Sequence, residues 1–120
     1  MGVSKSTYKE GLKMISKNLL SEVLNINIKY ISDKYDNNLV SYELSKKGWQ
    51  TINIYELVNY CKQWAFKQKF VIYSSCKSAS IYKDLEYLYG ASNEPTEPEA
   101  VFNACEWILK ERKYDKQYKV

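Results

Sequence analysis

The chain has 120 residues, of which 45% are hydrophobic and 27% are charged, and its formal net charge is +4. This composition predicts one folded domain with a real core and excludes a disordered chain. The sequence contains no histidine, which excludes the commonest general base and the commonest zinc ligand. No segment is apolar over a membrane-spanning length or resembles a signal peptide, so we expect a cytoplasmic protein without membrane contact, metal or cofactor.

The first predicted element is an N-terminal helix. Thr7 and Glu10 have the spacing of a capping box. Apolar residues follow at helical spacing: they are Leu12, Ile15, Leu19 and Val23. The opposite side carries a lysine every four residues: Lys5, Lys9, Lys13 and Lys17. Such a row is typical of a solvated helix face, and the alternative is contact with phosphates or with an acidic surface.

A β-hairpin is predicted after this helix. Ile26, Ile28 and Tyr30 alternate with polar residues, which is typical of a half-buried strand. The stretch LVSYEL forms the second predicted strand, which ends at Lys47 and Gly48. The alternative is an irregular arm.

The second half predicts a helix that begins at the cap Asn53, with Glu56 completing a capping box. Its inner stripe is Ile54, Leu57, Val58, Cys61 and Ala65. The stretches FVIYSSC, SASIYK and EYLYGA are rich in β-branched and aromatic residues and predict three strands. Turns are predicted at Lys77-Ser78 and Asp84-Leu85, and the alternative for residues 83–88 is one helical turn.

A closing helix is predicted from the capping box of Thr96 and Glu99, and it is followed by a polar tail over residues 113–120. Its inner stripe is Val101, Phe102, Ala104, Cys105, Ile108 and Leu109.

These elements predict an α+β fold with an antiparallel sheet. An α-β-β-β-α core over residues 52–112 has two helices on one face of the sheet, and the N-terminal helix and hairpin precede it. We expect a single domain over residues 1–120, in which residues 1–50 hold the helix and hairpin and residues 51–112 the core. The hairpin either extends the main sheet or packs beside it.

The cysteines predict no nucleophile. Cys61, Cys76 and Cys105 are odd in number and widely separated, which favours reduced, buried thiols over a disulfide framework. Cys61 and Cys105 fall on inner helical stripes, and no histidine is present to form a thiolate. We therefore expect no enzyme.

Two kinds of residue are candidates for contact with a partner. Trp64 and Trp107 lie at the flanks of their helical stripes, where a tryptophan either belongs to the core rim or is half-exposed and anchors a protein partner or a homodimer. Glu94 and Glu97 lie around the start of the closing helix, where the helix dipole favours acids, and the alternative is contact with a basic partner surface. The other large aromatic residues are expected mostly in the core: Trp49, Phe66, Phe70 and Phe102.

Nucleic acid is the alternative partner. The acidic stretch TEPEAVFNA repels phosphates where double-stranded-RNA-binding domains carry a basic run at their last helix. Tyr82, Tyr87 and Tyr89 offer stacking for single strands, although strand tyrosines more often pair across strands.

The stretches INIYELVNYCKQWAFKQKF and TEPEAVFNACEWIL resemble small uncharacterised proteins of phages and prophages. Residues 49–112 are similar in element order to the domain type called the phage ABA sandwich. The resemblance implies a mobile-element origin and a binding protein that contacts a host or phage protein, for example an anti-CRISPR-type inhibitor of a host defence complex. The alternative is a nucleic-acid-binding accessory protein that uses the lysine-rich helix face.

Overall fold

Three helices and two antiparallel three-stranded sheets make up the part of the chain that the computed structural model describes, residues 15–32 and 37–118, with side chains up to residue 112. The predicted α+β class is confirmed. The elements in chain order are α1 (Lys17–Leu24), β1 (Ile28–Ile31), β2 (Leu39–Leu44), β3 (Gly48–Asn53), α2 (Ile54–Lys67), β4 (Val71–Ser75), β5 (Ser78–Lys83), β6 (Glu86–Ala91) and α3 (Glu97–Tyr118).

The N-terminal helix of the described region begins later than predicted. Ser16 is extended, with φ −72° and ψ 156°, and its side chain accepts a hydrogen bond from the Leu19 N–H at 3.1 Å. This N-cap starts α1 at Lys17, so a continuous helix through Ser16 to Val23 is wrong. The capping box of Thr7 and Glu10 lies outside the described residues.

The first sheet contains a strand that was not predicted from the sequence. The strand order of this sheet is β1-β2-β3. The sheet is separate from the second one, so the predicted hairpin, which is β1 and β2, does not extend the main sheet. Gly48 has φ +75°, a conformation that glycine adopts without strain, and it starts β3 instead of ending the hairpin. Within β3, Ile52 is buried opposite Val40.

Helix α2 begins as predicted. The Asn53 side chain accepts hydrogen bonds from the N–H groups of Tyr55 and Glu56, at 2.8 and 3.4 Å. All residues of the predicted inner stripe are buried: Ile54, Leu57, Val58, Cys61 and Ala65. The local capping signal and the helical period therefore agree.

The second sheet has the order β4-β5-β6, with the three predicted strands. A turn at Asp84 and Leu85, both with positive φ, joins β5 to β6, so the helical alternative for residues 83–88 is wrong. The turn before β5 lies at Cys76 and Lys77, one residue earlier than predicted. Cys76 is exposed there, which corrects the expectation that it is buried.

Helix α3 is longer than predicted and runs to Tyr118, so residues 113–118 are helical rather than a polar tail. The Thr96 hydroxyl donates to Glu99 Oε1 at 2.7 Å and accepts from the Glu99 N–H at 3.4 Å. These two bonds link both members of the predicted capping box and confirm where the helix begins.

One cluster of buried hydrophobic residues extends from the first sheet to the last helix. It includes Leu20 of α1, Val40 of β2, Leu57 of α2, Ile81 of β5 and Ile108 of α3. The outer faces of both sheets point away from this cluster. Within the described ranges, no helix has both the length and the apolar character needed to cross a bilayer.

Candidate binding surfaces

Trp64 lies in the core, which corrects the prediction that it is half-exposed. Its side chain is 6% exposed. The indole Nε1 donates to Glu22 Oε1 at 3.3 Å, and the Arg112 guanidinium lies 6.0 Å from the ring centroid. Because α1 and α3 supply these two neighbours, they cover the flank of α2 that carries Trp64. The structure therefore gives Trp64 a packing role.

Trp107 is half-buried, as predicted, and lies beside β6. Its ring stacks on the Tyr89 ring with centroids 5.2 Å apart and an interplanar angle of 15°. The Tyr89 hydroxyl donates to Asn103 Oδ1 at 2.8 Å, and Asn103 Nδ2 donates to Glu94 Oε2 at 3.1 Å. Tyr89 and Asn103 thus bring together two predicted site residues, Glu94 and Trp107.

A cavity of about 300 Å³ lies along this side of α3. Its lining combines aromatic rings, two carboxyl groups and one ammonium group: Tyr89, Glu99, Phe102, Asn103, Glu106, Trp107 and Lys110. The Glu106 carboxylate accepts hydrogen bonds from the Ser16 N–H and Oγ at 2.9 and 3.1 Å. Helical spacing places these α3 residues on one stripe. Nothing in the sequence marked Asn103 and Glu106 as candidate site residues, because the spacing does not reveal that Tyr89 of β6 lies beside this stripe.

Glu99 places a carboxyl group in a nearly dry environment. The residue is 3% exposed, and Oε2 has no hydrogen-bond partner within the described ranges. Burial raises the pKa of Glu99, the hydrogen bond from Thr96 lowers it, and the charge of Glu94 raises it further. Because burial has the largest effect, folding favours the protonated form of this carboxyl relative to the unfolded chain.

We expect Glu99→Gln to stabilise the protein at pH 7 by about 1 kcal/mol and to leave its stability unchanged near pH 4. The raised pKa means that the wild-type carboxyl contributes its full stability below the unfolded pKa of about 4.3. That contribution is lost as the pH rises through the folded pKa. Glutamine keeps the acceptor for Thr96 and cannot ionise. Urea denaturation between pH 4 and pH 7 measures the difference.

The control for this prediction is Glu111→Gln, which removes an exposed carboxylate from the same helix. The gain in the free energy of unfolding that Glu99→Gln gives at pH 7 should be absent in this variant. If Glu99→Gln changed the free energy of unfolding by the same amount at pH 4 and at pH 7, the prediction would be contradicted.

The remaining predicted site residues lie apart from the cavity. Glu97 Oε2 accepts a hydrogen bond from the Ser74 hydroxyl at 2.5 Å, which ties the start of α3 to β4. Lys17 is exposed, and its ammonium donates to the Lys29 carbonyl at 3.5 Å. Lys5, Lys9 and Lys13 lie outside the described residues.

The outer face of the first sheet carries a row of three residues on three strands, the exposed Tyr30 and Trp49 with the partly exposed Glu43 between them, here called the sheet-1 row. Tyr30 is registered opposite Glu43, and Glu43 is opposite Trp49. Tyr30 is 59% and Trp49 57% exposed, so the expectation that Trp49 is in the core is wrong. Phe66 of α2 is exposed too. Recognising β3 as a strand would have placed Trp49 and Ile52 on opposite faces.

The outer face of the second sheet carries a tyrosine ladder, defined as Tyr73, Tyr82 and Tyr87. The centroid of Tyr82 lies 5.4 Å from that of Tyr73 and 5.6 Å from that of Tyr87, in edge-to-face geometry. Cross-strand aromatic pairs stabilise sheets. Tyr89, which was grouped with Tyr82 and Tyr87 from the sequence, belongs to the opposite, helix-facing side.

Cys105 is buried beside Cys61. The Cys105 thiol donates to the Cys61 carbonyl at 3.7 Å. A side-chain hydrogen bond with Cys61, together with burial, raises the pKa of Cys105, so the thiolate is disfavoured. Residues 15–32 and 37–112 hold no group of three or more cysteine or acidic side chains placed for a metal ion. Comparison with protein-family models, curated proteins and solved structures found no match to the chain.

Proposed function

We propose that the protein is a non-enzymatic binding protein of a phage or other mobile element, which acts in the bacterial cytoplasm by contact with a host or phage protein. The observation that carries this proposal is the sheet-1 row. Tyr30 and Trp49 each expose more than half of their surface on the same face of one sheet, on the two strands that flank Glu43. Tryptophan and tyrosine are the residues whose truncation most often weakens a protein interface.

The row is supported from behind by buried residues, which favours binding. Val40, Tyr42 and Ile52 of the same strands are buried against the core. Antiparallel pairing on both sides of β2 fixes the spacing of the three side chains. A surface that is already rigid loses less conformational entropy when a partner docks, so a small patch can bind specifically.

A protein with a rigid aromatic face suits an inhibitor that masks a surface of its target. The phage resemblance of residues 49–112 favours a host defence complex as that target, in the manner of anti-CRISPR proteins. An inhibitor of this type needs no catalytic group, which agrees with a sequence that has no histidine.

The proposal is tested by capture of proteins from a bacterial host with the wild-type chain and two double variants. Tyr30→Ala with Trp49→Ala removes the aromatic residues of the row. Tyr55→Ala with Phe66→Ala is the matched control, since both are exposed aromatic residues of α2. We expect a partner whose recovery falls at least about tenfold, or 1.4 kcal/mol, with the first variant only. Equal recovery of every protein with all three chains would contradict the proposal.

The inhibitor form of the proposal has its own measurement. In a host with an active defence system, expression of the wild-type chain should raise the plating efficiency of a phage that the system restricts. The variant without Tyr30 and Trp49 rings should lose this effect, and the α2 control should keep it. If the wild-type chain left the plating efficiency unchanged with every representative defence system, the inhibitor form of the proposal would be wrong, and only the binding form would stand.

Single-stranded nucleic acid is the second candidate partner, because the tyrosine ladder presents aromatic rings on a sheet face. Bases stack on such rings without sequence preference. Binding of oligo-dT and oligo-U, measured by fluorescence anisotropy, should fall steeply between about 50 and 200 mM salt. It should also fall in Tyr73→Ala with Tyr87→Ala, and in Lys9→Glu with Lys13→Glu. No binding at the lower salt concentration would exclude this candidate.

A further inference from the structure

We propose that the sheet-1 row is a receptor for one arginine or lysine side chain of the partner, in a segment where acidic residues flank that cation. The inference rests on the proposed function and specifies the chemistry of the partner at the same surface. It follows from the register of three strands, from the carboxylate at the centre of the row and from the positive charges around it.

The strand spacing places the two rings at a suitable distance for a cation. Neighbouring strands lie about 4.8 Å apart, so Tyr30 on β1 and Trp49 on β3 are separated by roughly 10 Å with Glu43 between them. A cation held above Glu43 therefore lies one strand spacing, about 5 Å, from the backbone of each aromatic residue, within reach of both side chains. Attraction between a cation and an aromatic face operates within about 6 Å of the ring centroid.

Glu43 supplies the opposite charge at the centre of the row. Its side chain is only partly exposed, and in the described part of the chain its carboxylate forms no ion pair or hydrogen bond. Exposed ion pairs contribute little because water screens them. Tyr30 and Trp49 lie on the two strands beside Glu43, and a cation seated between their rings loses part of its contact with water, which strengthens its pair with the carboxylate relative to an open surface pair.

The neighbouring side chains leave room for the incoming group. Ser41 and Thr51 are registered opposite each other, two residues along β2 and β3 from Glu43 and Trp49, on the same face. Both are small, so no large side chain stands beside Glu43 and Trp49 at this position. The ammonium of Lys29 lies 5.7 Å from the Tyr30 ring centroid, which shows that this ring already accepts a cation.

Exposed lysines around the row limit which segments can bind. Lys29 lies beside Tyr30, and Lys46 and Lys47 form the turn before Trp49. A strongly basic segment would be repelled by these three charges, whereas acidic residues on both sides of one arginine or lysine would be attracted. A phosphate backbone is disfavoured at the centre, because Glu43 is negative.

The test is an NMR titration of the 15N-labelled chain with the peptide acetyl-Asp-Gly-Arg-Gly-Asp-amide. The control peptide has citrulline in place of arginine, which keeps the shape and removes the charge. We expect the Trp49 indole N–H resonance to shift and saturate with the arginine peptide, and the citrulline peptide to bind at least fivefold more weakly. Equal binding of the two peptides would overturn the proposal.

Variants of the chain measure how much the Glu43 carboxylate contributes to peptide binding, apart from the rest of the surface. Glu43→Gln should lower the affinity for the arginine peptide at least fivefold, and Trp49→Ala should abolish saturable binding of this peptide. Glu56→Gln, which changes an exposed glutamate of α2, should leave the affinity unchanged. A dispersed amide spectrum for each variant establishes that it is folded. Unchanged affinity in Glu43→Gln would overturn the proposal, as would a Trp49 response to oligo-dT and not to the peptide.

The capture experiment distinguishes failure of this inference from failure of the proposed function. If Trp49→Ala loses the partner and Glu43→Gln keeps it, the row binds protein but is not a cation receptor, and only the inference falls. If the arginine peptide binds as expected and no captured protein depends on the row, the receptor stands and the proposed function falls.

Discussion

Trp64→Ala is expected to lower the free energy of unfolding by about 3–5 kcal/mol, which is the usual range for removal of a buried tryptophan. The indole is 6% exposed, and its loss leaves a cavity between α1, α2 and α3. The variant also deprives Glu22 of the hydrogen bond that the indole N–H donates. Chemical denaturation followed by far-UV circular dichroism measures the change. The total free energy of unfolding of a domain of this size is only about 5–15 kcal/mol, so this loss is a large part of it.

Trp49→Ala is the matched control, because it removes the same side chain from an exposed position. Trp49 is 57% exposed, so we expect a change within about 0.5 kcal/mol. A similar small change in Trp64→Ala would mean that α1 and α3 do not cover this flank of α2, and Trp64 would again be a candidate for partner contact.

Local signals in the sequence predicted where helices α2 and α3 begin. A cap acts within its own turn, so Asn53 and Thr96 carry the information without help from the rest of the chain. The inner stripes were predicted correctly for the same reason, since helical spacing fixes which residues share a face. The three strands of the second sheet were also identified by their β-branched and aromatic residues.

Strand β3 could not be identified in this way, because its signals have two interpretations. Gly48 fits the end of a strand as well as the start of the next one, and Ile52 fits the residue before a helix cap. The strand passes into α2 without a loop, and the Ile54 N–H donates to the Asn38 carbonyl at 2.8 Å across the sheet. This long-range bond fixes the junction, and no local pattern reveals it.

The candidate surfaces depended on tertiary contacts even more strongly. Trp64 and Trp107 have similar positions relative to their stripes, yet one is buried and the other half-exposed. The difference arises because α1 packs over the flank of α2, whereas Trp107 is covered on one side by Tyr89 of β6. Helical period alone gives no information on which flank a separate element will cover.

Arg112→Lys is expected to lower the free energy of unfolding by about 1–2 kcal/mol, although the positive charge is kept. The guanidinium donates to both carboxylate oxygens of Glu22, at 3.0 and 2.8 Å, and to Gln68 Oε1 at 3.0 Å. This hydrogen bonding with Glu22 raises the pKa of Arg112. A lysine ammonium is a single point and cannot reproduce the planar fork that joins α1, α2 and α3.

The contribution of the pair itself is measured by a double-mutant cycle of Arg112→Gln with Glu22→Gln, in which each single change removes the pair. The pair is partly exposed, at 29% for Arg112 and 38% for Glu22, so water screens it and we expect a coupling of about 1 kcal/mol. Lys110→Gln, an exposed change on the same helix, should alter stability by less than about 0.5 kcal/mol. A coupling near zero would mean that Arg112 acts through packing on Trp64 rather than through the Glu22 carboxylate, since its guanidinium also lies 6.0 Å from that ring.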